Sequence, residues 1–424
     1  MEPPGSSVVR WQLSDRSAHT GALKMPRILG ANMATFRKTA AIASSPILCF
    51  SHLRWNFVYQ RPQHLLSRAA EDHEVFFFEE PVFAEGIQPF VQRTRSNEGI
   101  TVLVPMLPKA MNGPQITRAL RSLVDTVVGG IGRADLVLWY YTPMALPFSR
   151  HLAACLRVYD NMDELSAFSG APPRLIAMER ELFRKVDVVF TGGQSLYESK
   201  KKRHPNVHAC PSSIDASHFG TSREASQREP HDQASISGPR VGFFGVIDER
   251  MDLDFLAKAA AIRPQWQFVM IGPVVKIDPS SLPQRPNIHW LGPKTYAQLP
   301  AYLAGWDLGF MPFALNEATR FISPTKTPEF LAAGIPLVST AIADVIRPYG
   351  ELGLVEIAHS PEDLVNLGTA LLARPTLPWL TRVDQHLAGM SWDLTWASMH
   401  RIMLKSQPQA GRTVSAWDEA VSHV

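Results

Sequence analysis

The sequence predicts an α/β protein of two parallel-sheet domains facing each other across a cleft. Two observations carry this. From residue 46 short apolar runs alternate with longer amphipathic segments, and the alternation stops at one polar stretch and then begins again. Short apolar runs bounded by turn residues read as strands buried on both faces, and helices between consecutive strands force them to pair in parallel. A chain of 424 residues leaves room for two or three domains of ordinary size.

The expected strands of the first domain, residues 46–219, are PILCFS (46–51), EVFFFEE (74–80), ADLVLWYY (134–141), LRVYDN (156–161), DVVFTGG (187–193) and VHACPSS (207–213). PQHLLSRAAED (62–72) and PRLIAMERELFRKV (173–186) read as helices between them. In the second, Leu175, Met178, Leu182 and Val186 fall near one face at helical spacing. Residues 220–239 are polar and turn-forming and read as a linker. The alternation restarts at PRVGFFGV (239–246) and continues through WQFVMIG (266–272), NIHWLG (287–292), DLGFMPF (307–313) and IPLVST (335–340), giving a second domain over 240–390. Both units therefore read as Rossmann-like, with ligands expected outside the carboxyl ends of the strands. SWDLTWASMHRIMLK (391–405) is a last amphipathic helix, expected to pack back on the first domain, and 406–424 a tail. Residues 1–45 mix Pro, Gly, Ser and Thr with scattered basic residues and no period, and are expected to be a disordered extension. A targeting peptide would need an apolar core that this stretch lacks.

Composition excludes several classes. Hydrophobic residues make up 45% of the chain, enough to bury a large core, so global disorder is excluded. A formal net charge of +3 is close to balance and gives no reason to expect nucleic acid as a partner. The three cysteines, Cys49, Cys155 and Cys210, are odd in number and far apart, which fits reduced thiols in a cytoplasmic protein. No run approaches the roughly 20 apolar residues needed to span a bilayer. No Gly-x-Gly-x-x-Gly, Walker loop or Gly-x-Ser-x-Gly follows an expected strand, which argues against a dehydrogenase, a P-loop enzyme and a hydrolase.

The most informative stretch is ATRFISPTKTPEFLAAGIPLVST (318–340). Ser323 reads as an N-cap, Pro324 as the first helical residue and Gly334 as the stop. Pro328 sits awkwardly inside that helix, which would suit a start at Thr327–Pro328 instead. Lys326 would place a full positive charge where a phosphate can bind, and Glu329 could accept bonds from ribose hydroxyls. An ordinary capped helix with an exposed Lys–Glu pair is the alternative. Gly245 ends the strand RVGFFG, where a missing side chain lets a pyrophosphate approach the backbone. Asp252 and Asp254 match an Asp-x-Asp metal pair but stand where acidic residues suit the first turn of a helix, so no metal site is expected.

With these residues in view, the segment Ser-Pro-x-Lys-x-x-Glu-Phe-Leu-Ala-Ala-Gly-x-Pro resembles the donor-binding helix of GT-B glycosyltransferases of the family 1/family 4 kind. SHLRWNFVYQRPQHLLSR (51–68), YDNMDELSAF (159–168), TGGQSLYESKKKRHPNVHACPSSID (191–215) and the final SWDLTW helix are similar to one bacterial branch, so the resemblance extends over residues 46–405. It implies transfer of a sugar from a nucleotide-sugar, with UDP as the expected nucleotide, to a glycan, lipid-linked or small-molecule acceptor. It places Lys326 at the donor diphosphate and Glu329 at the ribose, and implies no metal and no cofactor. A GT-B epimerase or a non-catalytic nucleotide-sugar-binding protein would share the same donor motif.

Two positions depart from the pattern. Phe321 stands where retaining members carry a glutamate, and Arg250 lies near where they carry a Gly-Arg-x-x-x-x-Lys-Gly pair. Both stereochemical outcomes stay open, and inversion would require a base. Asp163, beyond the end of the strand LRVYDN, is the expected base, with Asp160 orienting its loop; helix capping by Asp163 is the competing reading. His52 and Arg61 flank the first strand–helix loop and could face phosphate or acceptor, or pair with Glu79 or Glu80. The basic run Lys200–His204 reads as a solvated helix end, or as a contact with anionic lipid at the inner membrane face.

Overall fold

The computed structural model describes residues 42–132, 135–224 and 226–406. The expected N-terminal extension and C-terminal tail lie almost wholly outside them.

Two separate sheets organise these residues. The first runs β3-β5-β2-β1-β6-β7-β8-β9, with β4 added antiparallel to β5. Its strands are β1 Ile47–Phe50, β2 Val75–Phe78, β3 Val82–Ala84, β4 Phe90–Arg95, β5 Thr101–Pro108, β6 Val137–Tyr140, β7 Leu156–Asn161, β8 Val188–Thr191 and β9 Val207–Ala209. The second runs β12-β11-β10-β13-β14-β15, from β10 Arg240–Phe244, β11 Gln267–Ile271, β12 Ile288–Gly292, β13 Leu308–Met311, β14 Leu337–Thr340 and β15 Glu356–Ala358. Apart from β4 every pair is parallel. Side chains on the two faces of each sheet fill two cores, as helices on both sides require.

The stretch 220–239 is more than a tether. It holds a short helix His231–Ala234, and Gln233 is fully buried, receiving the Trp306 indole N–H at 2.8 Å and donating to the Tyr302 carbonyl at 3.0 Å. Polar composition conceals this role because most of its contacts are hydrogen bonds, with Ile236 the buried apolar anchor.

The helix Trp392–Lys405 returns to the first sheet. Trp392, Trp396, Met399 and Met403 recur at helical spacing and are buried with Leu65, Leu66 and Ala69 of the helix Arg61–Ala69. Ser391 caps it, accepting from the Leu394 N–H at 3.0 Å, and Arg68 pairs with Asp393 at 2.6 Å. Among the described residues no helix is long and apolar enough to cross a membrane.

Candidate functional site

Where the carboxyl ends of the two sheets face each other lies a cavity of about 990 Å³. The second domain contributes Gly245 and Arg250 after β10, Gly272 after β11, Tyr296 after β12, and Lys326 and Glu329; the first contributes Tyr59 across the cleft. Sites in such sheets form at this end because the loops there are free to vary over a fixed scaffold.

The helix carrying Lys326 spans Lys326–Ala332 and is preceded by Thr325 without a side-chain cap. Ser323 is therefore not the N-cap that the sequence suggested. Pro328 falls in the first turn, where its missing N–H has no intrahelical partner to lose. Seven residues make only a small macrodipole, so charge for an anion comes from side chains. Glu329 is buried and Lys326 half-buried. Burial pushes the Lys326 ammonium below the usual lysine range, with Arg250 adding to the effect; burial pushes the Glu329 carboxyl up, and Lys326 opposes it. An anion entering beside Lys326 would reverse its shift.

Gly245 has φ +129°, and a β-carbon there would lie 2.0 Å from Lys326 Cε. The glycine is thus what lets Lys326 lie across the strand end. Arg250 lies on the same wall, its guanidinium bonded to both oxygens of Asp248, at 2.7 Å for Nη2–Oδ2, and 5.4 Å from the centre of the Phe168 ring.

The remaining residues singled out by sequence fall in several places. Ser323 is not in this cavity; it packs against Gly193 of the first domain, where a β-carbon would approach it to 2.7 Å. Arg61 is 1% exposed, its Nη2 2.9 Å from Asp160 and its Nη1 2.7 Å from the Cys210 carbonyl, so it faces neither phosphate nor acceptor. Asp160 is fully buried in that pair, which ties the helix Arg61–Ala69 to the end of β7 and leaves the carboxylate no access to substrate. Asp163, three residues further along the chain, is half-buried. Burial raises its pKa, while Arg250, Arg61 and Lys326 hold it down and Asp248 adds to the rise, so it belongs electrostatically to the cation cluster of the cleft.

His52 lines a second cavity of about 570 Å³ in the first domain, outside the carboxyl ends of β1, β2 and β6. Its Nδ1 is buried without a hydrogen-bond partner among the described groups. Burial, with Lys276 adding to it, pushes the ring down to about 4, against the nearby Tyr141 backbone, so it is a neutral proton acceptor at pH 7. Lys276 comes from the second domain and also lines this cavity, its ammonium 5.3 Å from the centre of Phe168. Phe168 is therefore faced by two cations of the opposite domain, one from each cavity.

The basic run is not a five-charge stripe. Lys200 is fully buried, 2.7 Å from Glu164 and 2.8 Å from Glu179, and His204 is buried with Nε2 3.1 Å from the Val186 carbonyl. Only Lys201, Lys202 and Arg203 face outward. Asp252 caps the helix Leu253–Ile262, accepting from the Phe255 N–H at 2.8 Å, and Asp254 pairs with Lys258 at 2.5 Å, both as helix-terminus residues.

Sequence reasoning missed Tyr296, Tyr59, Phe168 and Lys276. Tyr296 stacks between His218 at 4.3 Å and Tyr59 at 4.7 Å, and its hydroxyl is buried without a partner. Isolated aromatics in loops give no periodic signal. Lys276 adopts φ +62°, a conformation that a lysine in the sequence does not announce.

The two facing parallel-sheet domains, with a lysine, a glutamate and a glycine strand end in the cleft between them, have the GT-B fold. Comparison with known proteins agrees: the family model Glycosyl transferases group 1 matches residues 238–374, which hold the second sheet and its cleft residues. The chain is similar to the putative teichuronic acid biosynthesis glycosyltransferase TuaH of Bacillus subtilis (strain 168), 27% identical over 250 residues. That match covers 54% of this chain and 62% of the relative, less than two thirds of its length. Among solved structures it is similar to the E. coli trehalose-6-phosphate structure bound with UDP-2-fluoro glucose, with TM-score 0.62, 12% identity, and 86% and 100% of the two chains covered. The sucrose-phosphate synthase of Thermosynechococcus elongatus gives TM-score 0.59 and 15% identity over 84% of this chain and 98% of that one. At such identities the structures establish the fold.

Proposed function

We propose that this protein transfers a sugar from a nucleotide-sugar to an acceptor held by the first domain. The observation that carries the reading is the placement of Lys326, Glu329 and Arg250 around one cleft cavity, with Gly245 clearing space beside the lysine. Lys326 and Arg250 would balance the diphosphate, and Glu329 would accept from the ribose hydroxyls. UDP is the nucleotide of choice because a structural relative was captured with UDP-2-fluoro glucose. Two side chains rather than a metal ion would stabilise the leaving diphosphate.

The acceptor would enter the cavity beside His52. The His52 ring is neutral at pH 7 with its Nδ1 unpartnered, so it would accept a hydroxyl proton in an inverting reaction, as a weak base whose transfer accompanies bond formation at the sugar. Asp163 is the second candidate base; burial raises its basicity, but Arg250 and Lys326 draw on the same charge. Calorimetry with UDP tests the donor site: Lys326→Ala should weaken binding more than Glu329→Ala, and wild-type affinity in both variants would remove the assignment. Mass spectrometry of the products from a nucleotide-sugar panel then separates transfer from an epimerised donor or from binding without turnover.

A further inference from the structure

The two domains also meet at a place that lines neither cavity, where a carboxylate of one caps a helix of the other. The helix Gln194–Lys200 begins at Gly193, which has no side chain to cap it. Its Ser195 N–H donates instead to Asp344 Oδ1 at 2.9 Å, across 149 residues of sequence. Asp344 belongs to the turn Ala343–Val345 after β14, fixed by Ile342 and Val345, which are buried in the core of the second domain. Its other oxygen is buried against Gly193 without a hydrogen-bond partner among the described groups. A carboxylate held this way costs stability rather than adding to it, so stability alone does not explain it.

The contact joins segments that lead into the cleft. On the second-domain side Ser323 packs on Gly193, three residues before Lys326. On the first-domain side Gly192 lies so close to the Met162 carbonyl oxygen that a β-carbon would be 2.6 Å from it, and Asp163 follows. The far end of the capped helix carries Lys200, whose buried ammonium is 2.7 Å from Glu164. Accepting the cleft as the place of transfer, we propose that Asp344 is a positioning residue, setting the register between the 162–164 loop of the first domain and the 323–326 segment of the second. It touches no substrate. The nearby pair Arg347–Glu198, exposed and 3.4 Å apart, contributes little to that register. Relative motion is the default for domains joined by a linker. A misplacement of about 1 Å far from the chemistry can lower a rate about a hundredfold.

Gly193 supplies a second probe of the same contact. Its φ of −162° is extended backbone that alanine adopts as readily. The atoms that a β-carbon there would meet first are Asp344 Oδ2 and Ser323 Cβ, both of the second domain. Gly193→Ala therefore leaves the first domain as it is and wedges the two domains apart.

The test uses the full chain, with hydrogen exchange and initial rates. Exchange at the Ser195 amide should speed up about threefold to thirtyfold in Asp344→Ala, the range for losing a helix cap. It should recover in Asp344→Asn, because asparagine caps about as well. With a nucleotide-sugar that the wild-type chain turns over, kcat should fall by a similar factor in Asp344→Ala and by up to about a hundredfold in Gly193→Ala. UDP affinity, which in this reading rests on second-domain residues, should stay unchanged in both. Asp344→Asn should restore most of kcat, which a role through charge or proton transfer would not allow. Ser195 exchange unchanged in Asp344→Ala overturns the interdomain cap; it is read without turnover, so it stands apart from the transfer reading. Faster exchange with wild-type kcat in both Asp344→Ala and Gly193→Ala leaves a cap that positions nothing, and overturns the proposal. Asp344→Asn as slow in turnover as Asp344→Ala, with its Ser195 amide protected, overturns it in favour of a charged role.

Discussion

Lys326 lies so close over Gly245 that a β-carbon on the glycine would come within 2.0 Å of its Cε. Gly245→Ala should therefore act as a mutation of the lysine's position. We expect UDP affinity to fall roughly tenfold to a hundredfold, the range for losing one charge-assisted hydrogen bond. Calorimetry of Gly245→Ala beside Lys326→Ala checks this, and unchanged affinity in the glycine variant would separate the two positions.

Burial and Arg250 hold the Lys326 pKa below its ordinary value in the free protein. A bound diphosphate would raise it, because an adjacent opposite charge favours the ammonium. Between the two values binding takes up a proton, so affinity should decline as pH rises through the depressed pKa of the free lysine. Phosphate groups with second pKa values of about 6 are already ionised there and do not contribute. Titrating UDP in buffers of different ionisation enthalpy measures the proton count; no uptake on the alkaline side would contradict the assignment.

Asp160 and Arg61 form a buried ion pair with a nitrogen–oxygen distance of 2.9 Å. Asp160→Asn should destabilise the fold by about 3–5 kcal/mol, since it leaves an uncompensated buried guanidinium. Replacing both by apolar residues should recover much of that loss. Urea denaturation of the single and double variants decides, and a single variant as stable as the parent would show that the pair is solvated.

Much of this architecture was legible in the sequence. Runs such as VFFF and VLWY could only be buried strands, and the Trp392, Trp396, Met399, Met403 stripe announced a packed helix. The strands β3, β4, β5 and β15 were not found: β3 and β15 have only three residues each, Phe90–Arg95 is mostly exposed, and prolines interrupt Thr101–Pro108. Lys326 and Glu329 were visible because one short segment carries both. Arg61 and Asp160 were misassigned because two charges 99 residues apart give no sign of pairing with each other rather than with substrate. The cavity beside His52 is assembled from six or more segments and exists only after folding.

Turnover is expected to be independent of divalent metal. Asp252 and Asp254 are engaged as a helix cap and a lysine partner, and Lys326 with Arg250 would supply the charge for a leaving diphosphate. Initial rates with EDTA and with added manganese should agree; loss of turnover in EDTA that manganese restores would require a ligand set elsewhere.

The choice of base can be settled by a pair of variants. His52 stands in the cavity proposed for the acceptor, half-buried, with a ring that stays neutral down to about pH 4. Its pKa is depressed by burial, so the unprotonated, proton-accepting form persists across the neutral range and is lost as pH falls through that value. His52→Gln retains a polar side chain of similar reach but cannot accept and hold the proton. If His52 is the base, turnover should fall by about two to four orders of magnitude with UDP affinity unchanged, since the residue does not line the donor cavity. Asp163→Asn removes a negative charge beside Arg250 and Lys326, so it should instead alter donor affinity with a much smaller change in turnover at saturating donor. The opposite pattern, with Asp163→Asn abolishing turnover at normal UDP affinity and His52→Gln active, would make the aspartate the base. A product that retains the donor's anomeric configuration by NMR would dispense with a base at either position.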